Sequence, residues 1–418
     1  MAGAPTDVLA PCCPADGRPL GTYPVADRSA VEQAVARARD ASSGWAAVPV
    51  EERAALVGRV ERVLVDRLDA LVEALGAMTG RPSVETVSGE LLPVLETARW
   101  IRLNAVAALA DEAREASPLF MGSSFVVRYT PAGVTAVISP WNYPFQLSAV
   151  PVLTALAAGN AVVLKPSEVT PGAGPILEEV LREAGLPDGV FNVVQGTGTT
   201  GDALVRAGPD RLAFTGSTVT GRKVLAAAAE RIVPVLAELG GKDPAIVFAD
   251  APFERAVAGV AWGAFANAGQ VCVSTERCYV ERSIYERFAA ALAAEAARLR
   301  TGTGVDAEIG PLIHPGQAAI VRDHVQDALD KGARALTPLV IDDRFVRPVV
   351  IADATHDMRV MTDETFGPVV ALMPFDTEDE AVALANALPY GLNASVWTRD
   401  AVRGRRVASR LVCGSCAI

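Results

Sequence analysis

The sequence predicts an α/β protein made of two doubly wound parallel-sheet domains. At 418 residues, half of them hydrophobic, the chain is too long for one ordinary core. Short apolar runs alternate with helical runs in two successive series, which is typical of parallel sheets with helical crossovers. Gly240 and Gly241 separate the two series. The predicted domains are therefore residues 1–240 and 241–418.

The first domain begins with helices. Apolar residues recur at three- and four-residue spacing in residues 31–41, 51–78 and 85–109, with turn signals between these runs. Beyond residue 126 the pattern changes to short apolar runs, each followed by a Gly, Pro or Ser cluster and a helical run. The predicted strands are 134–138, 161–164, 191–194, 211–214 and 232–236. Ligands are expected at the carboxyl ends of such strands.

The second domain repeats the alternation. Its predicted strands are 245–248, 277–280, 346–351, 369–374 and 394–397, and its predicted helices are 253–266 and 284–299. An apolar stretch at 144–164 has about the 20 residues of a membrane helix, but Pro151 and the Ala-Gly-Asn break at 158–160 interrupt it. It is interpreted as a helix, a turn and a buried strand.

The net charge and the amino-terminal sequence limit the kinds of partner that the protein is expected to bind. The formal net charge is -11 and the pI is near 5.0, which opposes attraction to nucleic acid or anionic lipid. The first residues lack the basic and apolar regions of a secretory signal, and they include an acid, which transit peptides avoid. We expect a cytoplasmic protein that binds neither nucleic acid nor membrane.

Cysteine and histidine usage gives little sign of metal binding. Cys413 and Cys416 form a CxxC that would suit zinc or redox chemistry, but no second CxxC or nearby histidine completes a site. Three histidines, His314, His324 and His356, lie in polar segments that are expected to be exposed. No metal site is predicted.

Three residues are candidates for catalysis. Cys272 follows a predicted helix end at Asn-Ala-Gly, where the thiol is presented rather than packed; the alternative is a buried structural cysteine. Glu238 follows the strand predicted over 232–236, and a carboxylate desolvated at the buried end of that strand suits a general base; the alternative is an exposed hinge residue. Asn142 follows strand 134–138, where its amide suits a developing oxyanion; the alternative is a turn-forming asparagine beside Pro144.

Three further segments suit a dinucleotide. Lys165 and Glu168 close strand 161–164, and a carboxylate there can bind ribose hydroxyls. Residues 214–221 form a strand, a glycine turn and a helix start, where backbone N–H groups can meet a pyrophosphate. Residues 364–368, Glu-Thr-Phe-Gly-Pro, precede another strand. Taken singly, each is also consistent with an ordinary turn.

Six motifs together resemble the NAD(P)-dependent aldehyde dehydrogenase superfamily, in order from about Cys13 to Ala417. They are PWNYPF at 140–145, KPSE at 165–168, FTGSTVTG at 214–221, ELGGK at 238–242, GQVC at 269–272 and ETFGP at 364–368. The resemblance implies that Cys272 attacks the aldehyde carbon, that Asn142 holds the oxyanion, and that Glu238 activates water to release a carboxylic acid. It also implies a Rossmann-like cofactor domain followed by a catalytic domain.

The resemblance also implies a cofactor, NAD, with NADP as the alternative. The residues implied to hold it are Pro140, Trp141, Lys165, Glu168, Gly216, Ser217, Gly221, Leu239, Glu364 and Phe366.

The carboxyl end departs from the family pattern. Family members usually continue with a glycine-rich loop and a strand that pairs across subunits, whereas this sequence stops at Ile418. The arm near 117–131 is therefore expected to be reduced, and the homo-oligomer usual for the family is in doubt. Two alternatives stay open: a catalytically impaired relative that binds cofactor, and a coenzyme-A-acylating enzyme, which Glu238 disfavours. The sequence does not name the aldehyde.

Overall fold

The computed structural model describes residues 8–304 and 306–418, and its α/β fold with parallel sheets confirms the predicted class. Residues 1–7 of the domain predicted over 1–240 lie outside the described residues. The chain divides into two compact units. Among the described residues, the first contains 8–12, Arg18–Met78 and Thr86–Glu238; the second contains Cys13–Gly17, Thr79–Glu85 and residues 239–418 except 305. The sequence did not indicate that residues 13–17 and 79–85 belong with the second unit.

A short β pair and several helices form the amino-terminal part. The elements are β1 (Val8–Leu9), β2 (Tyr23–Pro24), α1 (Arg28–Ala46), α2 (Val50–Asp66), α3 (Leu68–Thr79), α4 (Ser83–Thr86) and α5 (Leu92–Ala108). The run predicted as one helix over 51–78 is two helices that meet at Arg67. Helix α2 packs its apolar face, including Val57 and Val60, against Ala98 and Ile101 of α5. These helices share the core of the first unit.

An exposed hairpin follows α5. Strand β3 (Glu112–Arg114) pairs antiparallel with β4 (Phe125–Val127). The rings of Phe120 and Phe125 meet edge to face with their centroids 5.5 Å apart, and both side chains are exposed. This hairpin contains part of the arm predicted near 117–131.

The first sheet is parallel and lies at the centre of the first unit. Its elements are β5 (Val134–Ile138), α6 (Gln146–Ala157), β6 (Ala161–Lys165), α7 (Ala173–Glu183), β7 (Phe191–Val193), α8 (Gly198–Arg206), β8 (Arg211–Thr215), α9 (Thr218–Ala229) and β9 (Val235–Glu238). The strand order is β7-β6-β5-β8-β9. Every residue of β5 and β6 is buried, as expected for parallel strands with both faces covered. The order reverses at β5, so a ligand is expected at the carboxyl ends of β5 and β8.

The second sheet lies at the centre of the second unit and is parallel except at one edge. The elements of this part of the chain are β10 (Asp243–Val247), α10 (Phe253–Phe265), β11 (Thr275–Glu281), α11 (Tyr285–Arg298), α12 (Gln317–Asp330), β12 (Arg334–Ala335), β13 (Ile341–Asp342), β14 (Phe345–Val346), β15 (Val349–Ala352), α13 (Arg359–Thr362), β16 (Val369–Phe375), α14 (Glu378–Ala385), β17 (Asn393–Trp397), α15 (Ala401–Ala408) and β18 (Ser415–Ala417). Strands β13 and β14 pair antiparallel with each other, apart from the second sheet. The order is β12-β15-β16-β11-β10-β17-β18, with β12 antiparallel to β15. Apolar residues from β10, β11 and β16 form its core.

The apolar stretch 144–164 folds as predicted into α6, a turn at Gly159 with φ of 86°, and β6. Within the described part of the chain, no helix is both long and apolar enough to cross a membrane.

Candidate active site

The carboxyl edge of the first sheet gathers several predicted site residues. Strand β5 leads into Pro140, Trp141 and Asn142, and β6 ends at Lys165. Strand β8 leads into Gly216 and Ser217. Because neighbouring parallel strands end at one edge, these segments share one face of the first unit.

The Asn142 loop is anchored on both sides of the asparagine. Asn142 is buried. On one side, the hydroxyls of Ser139 and Ser148 lie 2.7 Å apart. On the other, Glu90 Oε2 accepts hydrogen bonds from the backbone N–H groups of Phe145 and Gln146 at 3.1 and 2.9 Å. Sequence reasoning missed Glu90, since a single carboxylate within a helical run carries no signal of its distant partners.

Lys165 and Glu168 form a partly buried pair. The Nζ of Lys165 donates to the carbonyl oxygens of Pro166 and Gly196 at 2.8 and 2.7 Å and lies 3.6 Å from Glu168 Oε2. Burial lowers the pKa of Lys165, and the Glu168 carboxylate partly opposes that shift. Glu168 itself is 45% exposed, so its carboxylate can face a ligand while Lys165 is fixed beneath it.

The turn after β8 starts a helix of twelve residues. The Ser217 hydroxyl caps α9 by accepting from the backbone N–H of Thr220 at 3.2 Å. Gly221 is buried in the first turn of that helix. Since a helix amino terminus favours negative charge, this turn suits a phosphate group.

Glu238 is the last residue of β9, and its side chain is exposed. The prediction of a buried strand end is wrong here. The strand begins at Val235 rather than Ile232, and β9 is the edge strand of the first sheet, so one of its sides has no neighbouring strand. Glu238 is fixed instead through its backbone, whose carbonyl oxygen accepts from the Gly216 N–H at 3.0 Å. Its carboxylate is therefore open to a water molecule or ligand.

Within the second unit, the remaining predicted residues precede three neighbouring strands. Leu239 lies shortly before β10, Cys272 before β11, and Glu364 with Phe366 before β16. The order β16-β11-β10 makes these strands adjacent. The second unit thus places its candidate residues at the amino edge of its sheet, and the sequence made no prediction for this edge.

Cys272 is a half-buried thiol with acidic neighbours. Burial raises the pKa of the Cys272 thiol to about 11, and the charges of Asp243 and Glu364 add to the rise. The backbone approaches closely here, because a Cβ on Gly241 would lie 2.4 Å from the Cys272 carbonyl oxygen. Glycine at this position lets the strand β10 start beside the nucleophile candidate.

Glu364 is tied to the same glycine pair. Its Oε1 accepts from the backbone N–H of Gly241 at 3.2 Å, and a Cβ on Gly240 would lie 2.5 Å from its Oε2. Burial raises the pKa of Glu364 to about 7, with the charge of Glu276 adding to the rise. Neutral and ionised forms of Glu364 therefore coexist near neutral pH.

A buried ion pair supports the loop that carries Glu364 and Phe366. Lys242 pairs with Glu276, and both side chains are buried. Glu276 accepts from the backbone N–H groups of Thr365 and Phe366 at 2.8 and 2.9 Å. The sequence did not predict a role for Glu276, although its partner Lys242 lies within the ELGGK motif. The pair stabilises the loop only while both charges are present, because a lone buried charge is costly.

His324 also supports this loop, contrary to the predicted exposure of the histidines. Only 2% of it is exposed, since it lies on the inner face of α12. Its Nδ1 is 3.1 Å from the Thr365 hydroxyl. Burial and the nearby Lys242 lower the pKa of His324 to about 4, so the ring is neutral at physiological pH.

Asp243 provides a test of the charge near Cys272. It is buried, burial raises its pKa to about 8, and its Oδ1 accepts from the Asn393 N–H at 3.3 Å. Above about pH 8 the added negative charge opposes thiolate formation at Cys272. We expect Asp243→Asn to label with iodoacetamide about twofold to fivefold faster at about pH 9, and at an unchanged rate near neutrality.

The matched control for this prediction is Asp250→Asn. Asp250 follows the opposite end of β10 and pairs with Arg403 at 3.1 Å. Its loss should leave the pH dependence of Cys272 labelling unchanged. Equal labelling of the Asp243 variant and the unmodified protein at alkaline pH would show that Asp243 does not act on the thiol. In both proteins Glu364 remains as a second acidic influence.

The chain is similar to known proteins in both sequence and structure. The sequence profile of the aldehyde dehydrogenase family matches residues 2–418. The chain is 42% identical over 411 residues to 4,4'-diapolycopene aldehyde oxidase of Methylomonas sp, covering 98% of this chain and 78% of that protein. A Mycobacterium tuberculosis aldehyde dehydrogenase complexed with NAD+ superposes with a TM-score of 0.94 at 34% identity, covering 100% and 88% of the two chains. An E. coli NADP dependent enzyme superposes with a TM-score of 0.93 at 33% identity, covering 98% and 86%.

Proposed function

Because the chain belongs to the aldehyde dehydrogenase family, we propose that it oxidises an aldehyde to a carboxylic acid through Cys272, with NAD as the preferred hydride acceptor. The observation that carries the proposal is the position of Cys272, a half-buried thiol at the amino edge of the second sheet beside Glu364. Because burial and the neighbouring acids raise the pKa of this thiol, its proton must be removed before the sulfur acts as a nucleophile.

The proposed reaction divides between three side chains. The Cys272 thiol gives its proton to solvent water, and the sulfur bonds to the aldehyde carbon while Asn142 donates a hydrogen bond to the carbonyl oxygen. A nicotinamide dinucleotide, when bound by the residues named below, would supply the acceptor for the hydride of this carbon, and the sulfur of Cys272 would then hold the acyl group as a thioester. Glu238 then removes a proton from water, which attacks the thioester and releases the acid and the thiol. The exposure of Glu238 is consistent with access of this water.

The cofactor residues fit a dinucleotide in chemical terms. In the first unit, the exposed Glu168 carboxylate is suited to ribose hydroxyls, and the capped start of α9 at Ser217 is suited to the pyrophosphate. Pro140, Trp141, Gly216 and Gly221 belong to the same edge of the first unit. In the second unit, Leu239, Glu364 and Phe366 are assigned to the nicotinamide side.

A panel of aldehydes tests the function. With NAD present, we expect absorbance of NADH to appear with at least one aldehyde, and the matching carboxylic acid to accumulate. Coenzyme A added to the assay distinguishes the acylating alternative, because that enzyme would form an acyl thioester of coenzyme A in place of the acid. Cofactor binding without turnover of any aldehyde would favour the catalytically impaired alternative.

NAD should be preferred to NADP. Glu168 presents a carboxylate where the adenosine ribose is proposed to bind, and it would repel the 2′-phosphate of NADP. Lys165 lies 3.6 Å from that carboxylate and offsets part of the repulsion, so we expect a preference of about tenfold rather than exclusion. Glu168→Ser should reduce this preference for NAD over NADP, whereas Glu178→Ser, a control change on α7, should leave the preference unchanged. A kcat/KM with NADP equal to or above that with NAD would refute this role of Glu168.

Two finer expectations belong to the same proposal. The exposed hairpin of β3 and β4 suits self-association into a homo-oligomer, since it presents Phe120, Phe125 and Val126 to solvent. Sedimentation at several protein concentrations would test this. A cytoplasmic location is the second expectation, and cell fractionation would test it.

A further inference from the structure

The backbone just before Cys272 is held in an unfavourable conformation. Helix α10 ends at Phe265, and Asn267, Ala268 and Gly269 follow with φ values of 52°, 53° and 71°. The left-handed region costs about 1–2 kcal/mol for most residues that carry a Cβ, and asparagine is among the residues that adopt it more readily. Ala268 therefore adopts this conformation because surrounding contacts stabilise it. We call residues 267–269 the left-handed turn.

Close packing fixes one side of the left-handed turn. A Cβ on Gly269 would lie 2.0 Å from the carbonyl oxygen of Gly367, so the turn lies directly against the backbone before β16. This contact brings the turn beside the loop that carries Glu364. It also leaves no room for the turn to shift in that direction.

Gln270 fixes the end of the turn nearest Cys272. Its side chain is fully buried. Its Oε1 accepts from the Ile313 N–H at 2.7 Å, and its Nε2 donates to the carbonyl oxygens of Asn267 and Pro311 at 2.9 and 3.3 Å. The Asn267 amide in turn donates to the Gln270 carbonyl oxygen at 3.1 Å.

Glu85 fixes the start of the turn from a distant part of the sequence. It lies in α4, within the segment Thr79–Glu85 that belongs to the second unit. Its Oε1 accepts from the backbone N–H of Asn267 at 2.7 Å. Its Oε2 is buried and has no hydrogen-bond partner among the described residues. Burial raises the pKa of the Glu85 carboxyl, which shows that this group is largely removed from water. Removing a carboxyl from water is unfavourable, and the hydrogen bond to Asn267 offsets part of that free energy.

We infer that Glu85 is a positioning residue for the nucleophile, because its hydrogen bond to Asn267 holds the left-handed turn that places Cys272 before β11. The inference rests on the proposed function, in which Cys272 is the attacking group. The mechanism assigns no role to α4, and the proposed steps can proceed only if the sulfur is presented in one position. Loss of the Glu85 contact would leave the Asn267 N–H buried without this acceptor and release the strain of the turn.

The test compares Glu85→Ala with Glu85→Gln and a matched control. Glutamine keeps a side-chain oxygen that can accept from Asn267, whereas alanine does not. The control is Glu281→Ala, because Glu281 Oε2 also accepts from a backbone N–H, that of Ala249 at 2.8 Å, at the opposite end of β11. The readouts are the rate of iodoacetamide labelling of Cys272, kcat, KM for NAD and thermal stability.

We expect Glu85→Ala to slow Cys272 labelling and to lower kcat, each by about tenfold, while KM for NAD changes less than about twofold. Glu85→Gln should restore both rates to within about threefold of the unmodified protein. Glu281→Ala should leave both rates unchanged, even where it lowers the melting temperature as much as Glu85→Ala does. A purely structural role for Glu85 would instead lower stability and leave the labelling rate of the folded protein unaltered.

Three results would overturn the inference. The first is unchanged labelling and kcat in Glu85→Ala; the second is an equal loss of both rates in Glu281→Ala. The third is a tenfold slower rate of Cys272 labelling in folded Glu85→Gln. This result decides the question even if Glu85→Ala fails to fold. Labelling needs neither aldehyde nor cofactor. A protein that oxidises no aldehyde but still shows the labelling pattern would refute the proposed function and leave the positioning role standing.

Discussion

Replacing Cys272 by alanine is expected to abolish aldehyde oxidation, by about a thousandfold or more, while NAD still binds. The reason is that Cys272 directly precedes β11 at the amino edge of the second sheet, whereas the other cysteines lie elsewhere in the chain. Cys278 is buried within β11, Cys413 and Cys416 lie just before and within β18, and Cys12 and Cys13 lie near the amino terminus. The measurement is steady-state NADH formation together with NAD binding by calorimetry.

Cys413→Ala is the matched control, because Cys413 is another half-buried thiol of the second unit. It should keep the activity of the unmodified protein. Iodoacetamide should also inactivate the unmodified protein by labelling Cys272 ahead of Cys278, Cys413 and Cys416. Undiminished activity in Cys272→Ala would contradict the covalent mechanism.

Glu238→Gln is expected to form about one equivalent of NADH per chain and then to stop. Hydride transfer needs only the sulfur adduct, whereas release of the acid needs activated water. The amide of glutamine cannot accept the proton, so the thioester accumulates. Rapid-mixing absorbance measurements distinguish the burst from the steady state.

A surface glutamate of the same unit controls for this prediction. Glu183 ends α7 and is 49% exposed, and Glu183→Gln should turn over at the original rate. Steady turnover of Glu238→Gln at that same rate would show that another base acts. The buried carboxyl of Glu364, whose pKa burial raises to about 7, would then be the next candidate.

The sequence was most informative about the strands of the two sheets. Strands such as Val134–Ile138 and Ala161–Lys165 are continuous apolar runs because both faces of a parallel sheet are covered. Each of these runs is followed by a Gly, Pro or Ser cluster, so the loops of Asn142 and Lys165 could be placed at strand ends. The catalytic and cofactor roles of these residues stay predictions.

Long-range packing was beyond the reach of the sequence. Glu238 is exposed because β9 is an edge strand, and the order of strands is decided by pairing across the whole sheet. His324 is buried because the inner face of α12 packs into the core. The contacts of Glu85, Glu90 and Glu276 join segments that are far apart in sequence, and local composition carries no signal of them.

The acyl group trapped on the enzyme gives the most direct test of the central claim that Cys272 carries the oxidised substrate. Glu238→Gln is mixed with an aldehyde and NAD, stopped after the burst, digested and analysed by mass spectrometry. We expect the peptide that contains Cys272 to gain the mass of the acyl group in proportion to the NADH formed, and the double variant Cys272→Ala, Glu238→Gln to form neither. NADH formation with the acyl group on another residue, or with no acyl adduct on the Cys272 peptide, would contradict the account.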